Sequence, residues 1–126
     1  MNSHPTLPTI AIVGPCGAGK TSLAEALQGL GLDARQIAQE HSFVPEMWQI
    51  MTRPDVLIYL DVSYKVSTSR KQFHWTLEDF SEQLRRLRHA RDHCQIYIHT
   101  DRLTADEVLN QVIKELDIGH LPPSDV

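Results

Sequence analysis

Nine residues, Gly14-Pro15-Cys16-Gly17-Ala18-Gly19-Lys20-Thr21-Ser22, carry the most specific chemistry in the chain. They fit the spacing G-x-x-x-x-G-K-[ST], a loop built to bind phosphate. Gly14, Gly17 and Gly19 let the backbone close around an anion with N–H groups turned inward. Lys20 supplies a point charge for terminal phosphates, and Thr21 a hydroxyl for Mg²⁺. A helix beginning near Lys20 adds its positive end to the same place. All nine residues are therefore expected to touch the bound anion. Cys16 inside the loop reads in two ways. It is a reactive thiol, its pKa lowered by Lys20 and the helix N-terminus, or a small loop filler.

The elements needed to position this loop are legible on either side of it. Residues 9–13, Thr-Ile-Ala-Ile-Val, are a short apolar run of strand type ending at Gly14. Leu23, Ala24, Ala26, Leu27 and Leu30 follow at helical spacing, and Gly29 and Gly31 stop the helix. Residues 33–38 are a weaker strand candidate that delivers Gln39-Glu40-His41-Ser42 to the edge of the sheet bearing the loop. A short helix is predicted over 45–51, with Pro45 in its first turn and Arg53-Pro54 beyond its end. Residues 55–61 are apolar almost throughout, as in a strand covered on both faces. Ser63 caps a helix to about Lys71. Phe73-His74-Trp75 then leads to Thr76, which caps a helix with Leu77, Phe80, Leu84, Leu87 and Ala90 on one face. Its other face carries Arg85, Arg86, Arg88, His89 and Arg91. A last strand at 95–99 precedes Thr104-Ala105-Asp106-Glu107, a capping box with Leu103 and Val108 as its staple. Val108, Leu109, Val112, Ile113 and Leu116 form the buried stripe of the final helix.

Alternating strands and helices of this kind imply an α/β three-layer sandwich, a parallel sheet of about four strands with helices on both faces. One domain spans 1–126, with 1–8 and 119–126 flexible. Hydrophobic content of 41% is enough to give such a domain a core. A net charge of −4 disfavours a nucleic-acid surface, and no apolar run reaches membrane-spanning length. Residues 1–8 lack a signal-peptide layout. With two cysteines, one of them in the loop, a structural disulfide is not expected and a reducing cytoplasm fits. None of the seven histidines forms a metal-ligand pair of convincing spacing, and His89 and His93, four apart on a helix, lack a third ligand, so no zinc site is expected.

The chain resembles the P-loop kinases of the nucleoside and nucleotide kinase type, the group of adenylate kinase and shikimate kinase. Gly14 to Thr21 matches the group's phosphate loop. Residues 54–62 followed by Arg70 resemble its fourth strand and lid-helix start, and residues 96–108 its last strand and final helix. The resemblance implies binding of a purine nucleoside triphosphate, ATP or GTP, with Mg²⁺. It implies phosphoryl transfer to a small acceptor, with Lys20, Glu40, Asp61 and Arg70 as the catalytic set. Thr21 and an acid, Glu40 or Asp61, would hold the metal. Arg70 would cover adenine or phosphate, and Arg85, Arg88 and Arg91 would form either a lid or a solvated helix face. His41 reads as a general base or as a structural hydrogen-bond partner.

The chain departs from the group in length. Residues 33–54 are too few for an acceptor-binding insertion. The other expectation is thus a catalytically weak nucleotide-binding sensor or subunit. A protein partner or a second copy would complete it, with Trp48 or residues 73–75 as the contact. Lys20→Ala is expected to weaken triphosphate binding and leave the fold intact.

Overall fold

A computed structural model of the chain describes residues 7–71 and 75–119, the side chains of the last three excepted. The expected lead-in at 1–6, the tail beyond 119, and Phe73 and His74 lie outside the described residues. Four strands are present among them: β1 (Thr9–Val13), β2 (Asp33–Gln36), β3 (Val56–Asp61) and β4 (Ile96–His99). They form one parallel sheet in the order β2-β1-β3-β4. The helices are α1 (Lys20–Gly29), α2 (Met47–Thr52), α3 (Tyr64–Lys71), α4 (Leu77–His93) and α5 (Ala105–Gly119), with a 3-10 turn at Gln39–His41. No described helix is long and apolar enough to cross a membrane.

Successive side chains of a strand point to opposite faces, so each inner strand feeds two cores. Ile10, Ile12, Val56, Ile58 and Leu60 meet Leu23, Leu27, Val108, Val112 and Leu116 from α1 and α5. Ala11, Val13, Leu57 and Tyr59 face the other way, onto Trp48 of α2 and Leu87 and Ala90 of α4. This double coverage is why β3 is apolar nearly without interruption. Helices therefore cover both faces of the parallel sheet. Full burial of Leu27, Ile58, Leu60 or Leu87 is worth about 1.5–3 kcal/mol each.

The capping signals form as expected. Val66 N–H donates to Ser63 Oγ (3.2 Å) at α3, and Thr76 and Asp79 exchange bonds at α4. Thr104 N–H donates to Glu107 Oε1 (2.8 Å) and Glu107 N–H to Thr104 Oγ1 (3.1 Å) at α5. Three details differ. Leu77 is exposed because it opens α4 ahead of the packed turns, and Gln83 is buried on that face instead. Ile113 is partly exposed at the border of the α5 stripe. The helix predicted from Pro45 begins at Met47, because its cap comes from elsewhere in the chain: Trp48 N–H donates to Gln39 Oε1 (2.8 Å).

Gln39 fixes the whole segment between β2 and α2. Fully buried, it also donates through Nε2 to Val44 O (2.8 Å) and, more weakly, Arg86 O (3.4 Å). Replacing it would strand the Trp48 N–H, at a cost of about 1–3 kcal/mol, and take one donor from the Val44 carbonyl, which keeps the Met47 N–H (3.1 Å). Gln39→Ala is therefore expected to destabilise the fold by about 3 kcal/mol in denaturant unfolding. Gln28→Ala, which removes one bond at an exposed position, is expected to cost less than about 1 kcal/mol.

Candidate functional site

The loop from Gly14 to Gly19 leaves β1 and enters α1. At its start Gly14 passes so close to β3 that a Cβ there would stand 2.1 Å from Leu60 O. At Gly17 a Cβ would stand 2.9 Å from the Ser67 carbonyl of α3. Only glycine fits at either point, because the neighbouring atoms are backbone and cannot swing aside.

The loop's carbonyls are all engaged by the surrounding framework. Ser67 Oγ donates to Cys16 O (2.5 Å), Arg70 to Gly17 O (3.1 Å) and Thr100 Oγ1 to Ala18 O (3.1 Å). Lys20 Nζ donates to Gly14 O (2.6 Å), and Ala18 N–H to Pro15 O (3.2 Å). In a trans peptide the N–H points away from the C=O. Pinning the carbonyls of Cys16 and Ala18 toward the framework thus turns the N–H groups of Gly17 and Gly19 the other way. The first N–H groups of α1 lack intrahelical acceptors as well. Together they border a concavity of about 370 Å³ lined by Cys16, Gly17, Gly19, Lys20, Thr21, Ser22, Gln36, Glu40, His41, Arg70 and Lys71. Lys20, Arg70 and Lys71 outweigh the single carboxylate there, so this hollow is cationic within a chain of net charge −4. A second cavity of about 230 Å³ adjoins it, sharing Gly19, Ser22 and Arg70 and lined further by Leu23, Leu103, Ala105 and Val108.

Glu40 reaches the loop from the 3-10 turn. Ile37 N–H continues the β2 ladder to Ile12 O (2.9 Å), and Gln39 anchors the chain immediately afterwards. Glu40 Oε2 accepts from Lys20 Nζ at 2.6 Å, and both side chains are more than nine-tenths buried. Glu40 Oε1 is buried and has no hydrogen-bond partner among the described residues. Thr21 Oγ1 accepts from the Gln36 amide (2.8 Å) at the mouth of the hollow.

Asp61 stands at the end of β3, but it does not line the hollow. Its carboxylate accepts from Val62 N–H (2.9 Å) and from the Tyr97 hydroxyl. Burial, and then the Asp61 carboxylate, push the Tyr97 phenol up to about 12. Arg70 acts as a brace as well as a lining group, since it also donates to Thr100 Oγ1 (2.9 Å) and Thr100 O (2.6 Å). The arginines of α4 form no lid. Arg85 pairs with Glu82, Arg91 stacks over Tyr97 and Tyr59, and none of Arg85, Arg88 and Arg91 lines the hollow. Trp48 is buried, with its indole N–H donated to His89 (3.2 Å), and so is no contact surface for a partner.

The activated-thiol reading of Cys16 does not hold. Burial, and next the Glu40 carboxylate, push its pKa up and outweigh Lys20 and Lys71, which lower it. Sequence reasoning missed Ser67, Gln83, Thr100 and Gln36. Only Gln83, whose side chain accepts from Cys16 N–H (3.0 Å), left a signal: a polar residue on an otherwise apolar helical stripe. The others are ordinary polar residues whose partners are carbonyls and a hydroxyl far away in the chain.

A buried pair cannot lose one member cheaply, because the remaining charge is left uncompensated. Lys20→Ala is therefore not neutral for the fold. Lys20→Met alone is expected to destabilise the protein by about 3 kcal/mol, and Lys20→Met with Glu40→Gln to regain most of that loss in denaturant unfolding. Additive effects of the two changes would show that the pair is not coupled in solution. Compared with protein-family models and with curated proteins, the chain gives no match.

Proposed function

We propose that the chain is a P-loop nucleotide-binding protein that holds a purine nucleoside triphosphate with Mg²⁺. One observation carries this: the Cys16 and Ala18 carbonyls are pinned to the framework, which turns the Gly17 and Gly19 N–H groups the other way, beside a helix N-terminus at a cationic hollow that both glycines line. Such an arrangement suits a polyanion and little else. The phosphates would occupy the 370 Å³ hollow, with Lys20, Arg70 and Lys71 offsetting their charge. The adjoining 230 Å³ cavity, with Leu23, Leu103, Ala105 and Val108 in its wall, suits the flat apolar faces of a base. The sequence resemblance to the nucleoside and nucleotide kinases supports the same assignment.

Thr21 and Glu40 fit the needs of the metal. A hydroxyl faces the hollow, and a buried carboxylate there has one oxygen without a partner. Mg²⁺ keeps most of its waters, so Glu40 would hold it through one of them. When bound, the ion draws charge off the terminal phosphates. Glu40 is preferred to Asp61 because Asp61 is occupied by Tyr97 and Val62.

Phosphoryl transfer also requires an acceptor held in line and shielded from water. The segment between β2 and β3, which would have to supply that pocket, is spent on structure, with Gln39 and Trp48 buried in it. We therefore favour a nucleotide-binding module with slow turnover as a lone cytoplasmic chain, completed by a protein partner or a second copy. Calorimetry with ATP and GTP, each with and without Mg²⁺, tests the assignment. Saturable Mg²⁺-dependent binding of one of them is expected, and Thr21→Val is expected to reduce the Mg²⁺-dependent affinity by about tenfold or more. Absence of binding by either triphosphate to the folded protein would overturn it. Rapid hydrolysis by a demonstrated monomer would restore a self-sufficient enzyme.

A further inference from the structure

Cys16, Glu40 and His41 converge at one corner of the loop. Cys16 Sγ lies 3.6 Å from His41 Nε2 and 3.8 Å from Glu40 Oε2, and Nε2 lies 3.8 Å from the same oxygen. We propose that these three side chains form a binding site for a divalent cation of the zinc class.

The geometry is close to what such an ion requires. Zinc bonds of about 2.3 Å to sulfur and about 2.0–2.2 Å to nitrogen and oxygen, at tetrahedral angles, put the ligand atoms about 3.4–3.6 Å apart. The three separations exceed that by at most a few tenths of an ångström, so rotamer adjustment alone closes the site. The donor set points to the same class of metal. Thiolate, imidazole and carboxylate together suit zinc, whereas Mg²⁺ and Ca²⁺ take oxygen. This site shares Glu40 with the Mg²⁺ contact assigned to Thr21 and Glu40, so the two ions are alternatives at that carboxylate.

The second observation is the buried Glu40 Oε1, which lacks any partner. An unpaired oxygen of that kind is costly unless something binds it. A cation shared across both carboxylate oxygens meets that need, and Lys20 keeps the Gly14 carbonyl (2.6 Å) as a partner where the ion displaces it from Oε2. As the sulfur–metal bond forms, the Cys16 proton leaves to solvent, and the sulfur and carboxylate charges balance the ion. Three protein ligands leave the fourth position open toward the hollow, as in zinc sites that bind a further ligand. Sequence spacing predicts no zinc site at all, the His89 and His93 pair lacking a third ligand. Those two rings instead stack on each other at 4.2 Å.

The test uses the full chain without nucleotide, so its outcome is independent of the triphosphate assignment. Co²⁺ is titrated into the reduced protein while the near-ultraviolet absorption of a thiolate–cobalt bond is followed. One equivalent is expected to saturate the band, and Zn²⁺ to abolish it by displacement. Cys16→Ser is expected to remove the band and Cys94→Ser to leave it unchanged. His41→Ala, at an exposed position that does not threaten folding, is expected to weaken Co²⁺ affinity on the order of 100-fold. No band, a band that survives Cys16→Ser, or unchanged affinity in His41→Ala would overturn the proposal. The 3.6 Å sulfur–nitrogen contact would then be a thiol–imidazole hydrogen bond and nothing more.

Discussion

The orientation of a few peptide groups between Gly14 and Gly19 governs the chemistry of this protein. A glycine-rich loop has no intrinsic reason to present its N–H groups to a ligand, since its backbone can turn either way. Here the choice is made by hydroxyls and a guanidinium that come from distant elements. Ser67 and Arg70 arrive on α3, and Thr100 follows β4. Each takes a carbonyl, and the opposite face of each peptide is thereby committed. Thr100 ties the scheme to the sheet as well, because its backbone N–H donates to Asp61 O at the end of β3 (2.9 Å).

Lys20 and Glu40 set a counterweight to this arrangement. The ammonium sits against Glu40 and the Gly14 carbonyl, so the loop carries its own internal anion. In that state the lysine's charge is largely neutralised. An incoming polyanion must compete with a carboxylate 2.6 Å away, and part of its binding energy goes into separating the two. Burial, and then the same carboxylate beside it, push the Cys16 thiol up, against activation by Lys20. One acidic residue thus tempers both the electrostatic pull of the loop and the reactivity of the cysteine inside it.

Most of the fold was readable because its signals are local. The apolar run of β3, the capping pairs of α4 and α5, and the glycine spacing of the loop each lie within a few residues of sequence. Even β2 was legible as a strand, though its residues are mostly exposed and its pairing with β1 ends at Gln36. The start of α2 was misplaced because its cap, Gln39, lies eight residues before Met47 and acts through the fold. The candidate site divided the same way. Lys20 and the glycines follow from spacing, and Glu40 from its place at the end of a strand. Asp61 satisfied an equally good local pattern, yet Tyr97 from the neighbouring strand takes its carboxylate. Of the arginines of α4, Arg85 and Arg86 pair with Glu82 within the helix, Arg91 lies over Tyr97, and Arg88 is exposed. Pairing across distant elements, as at Asp61 and Arg91, leaves no periodicity to read.

The attachment of α3 carries one more consequence. Only Ser67 of its eight residues is fully buried, and Tyr64 and Val66 pack partway against the core. Much of the rest of its hold on the molecule runs through hydrogen bonds, from Ser67 and Arg70 to the loop and Thr100 and from the Tyr64 hydroxyl to Trp75 O (2.7 Å). An element fastened mainly by hydrogen bonds opens at a free-energy cost well below that of global unfolding. Each opening releases the Cys16 and Gly17 carbonyls and lets their peptides rotate. The helix and the loop therefore breathe as one cooperative unit. Anything that seats itself in the loop and favours the closed arrangement will slow amide exchange along α3, a segment whose backbone it does not touch.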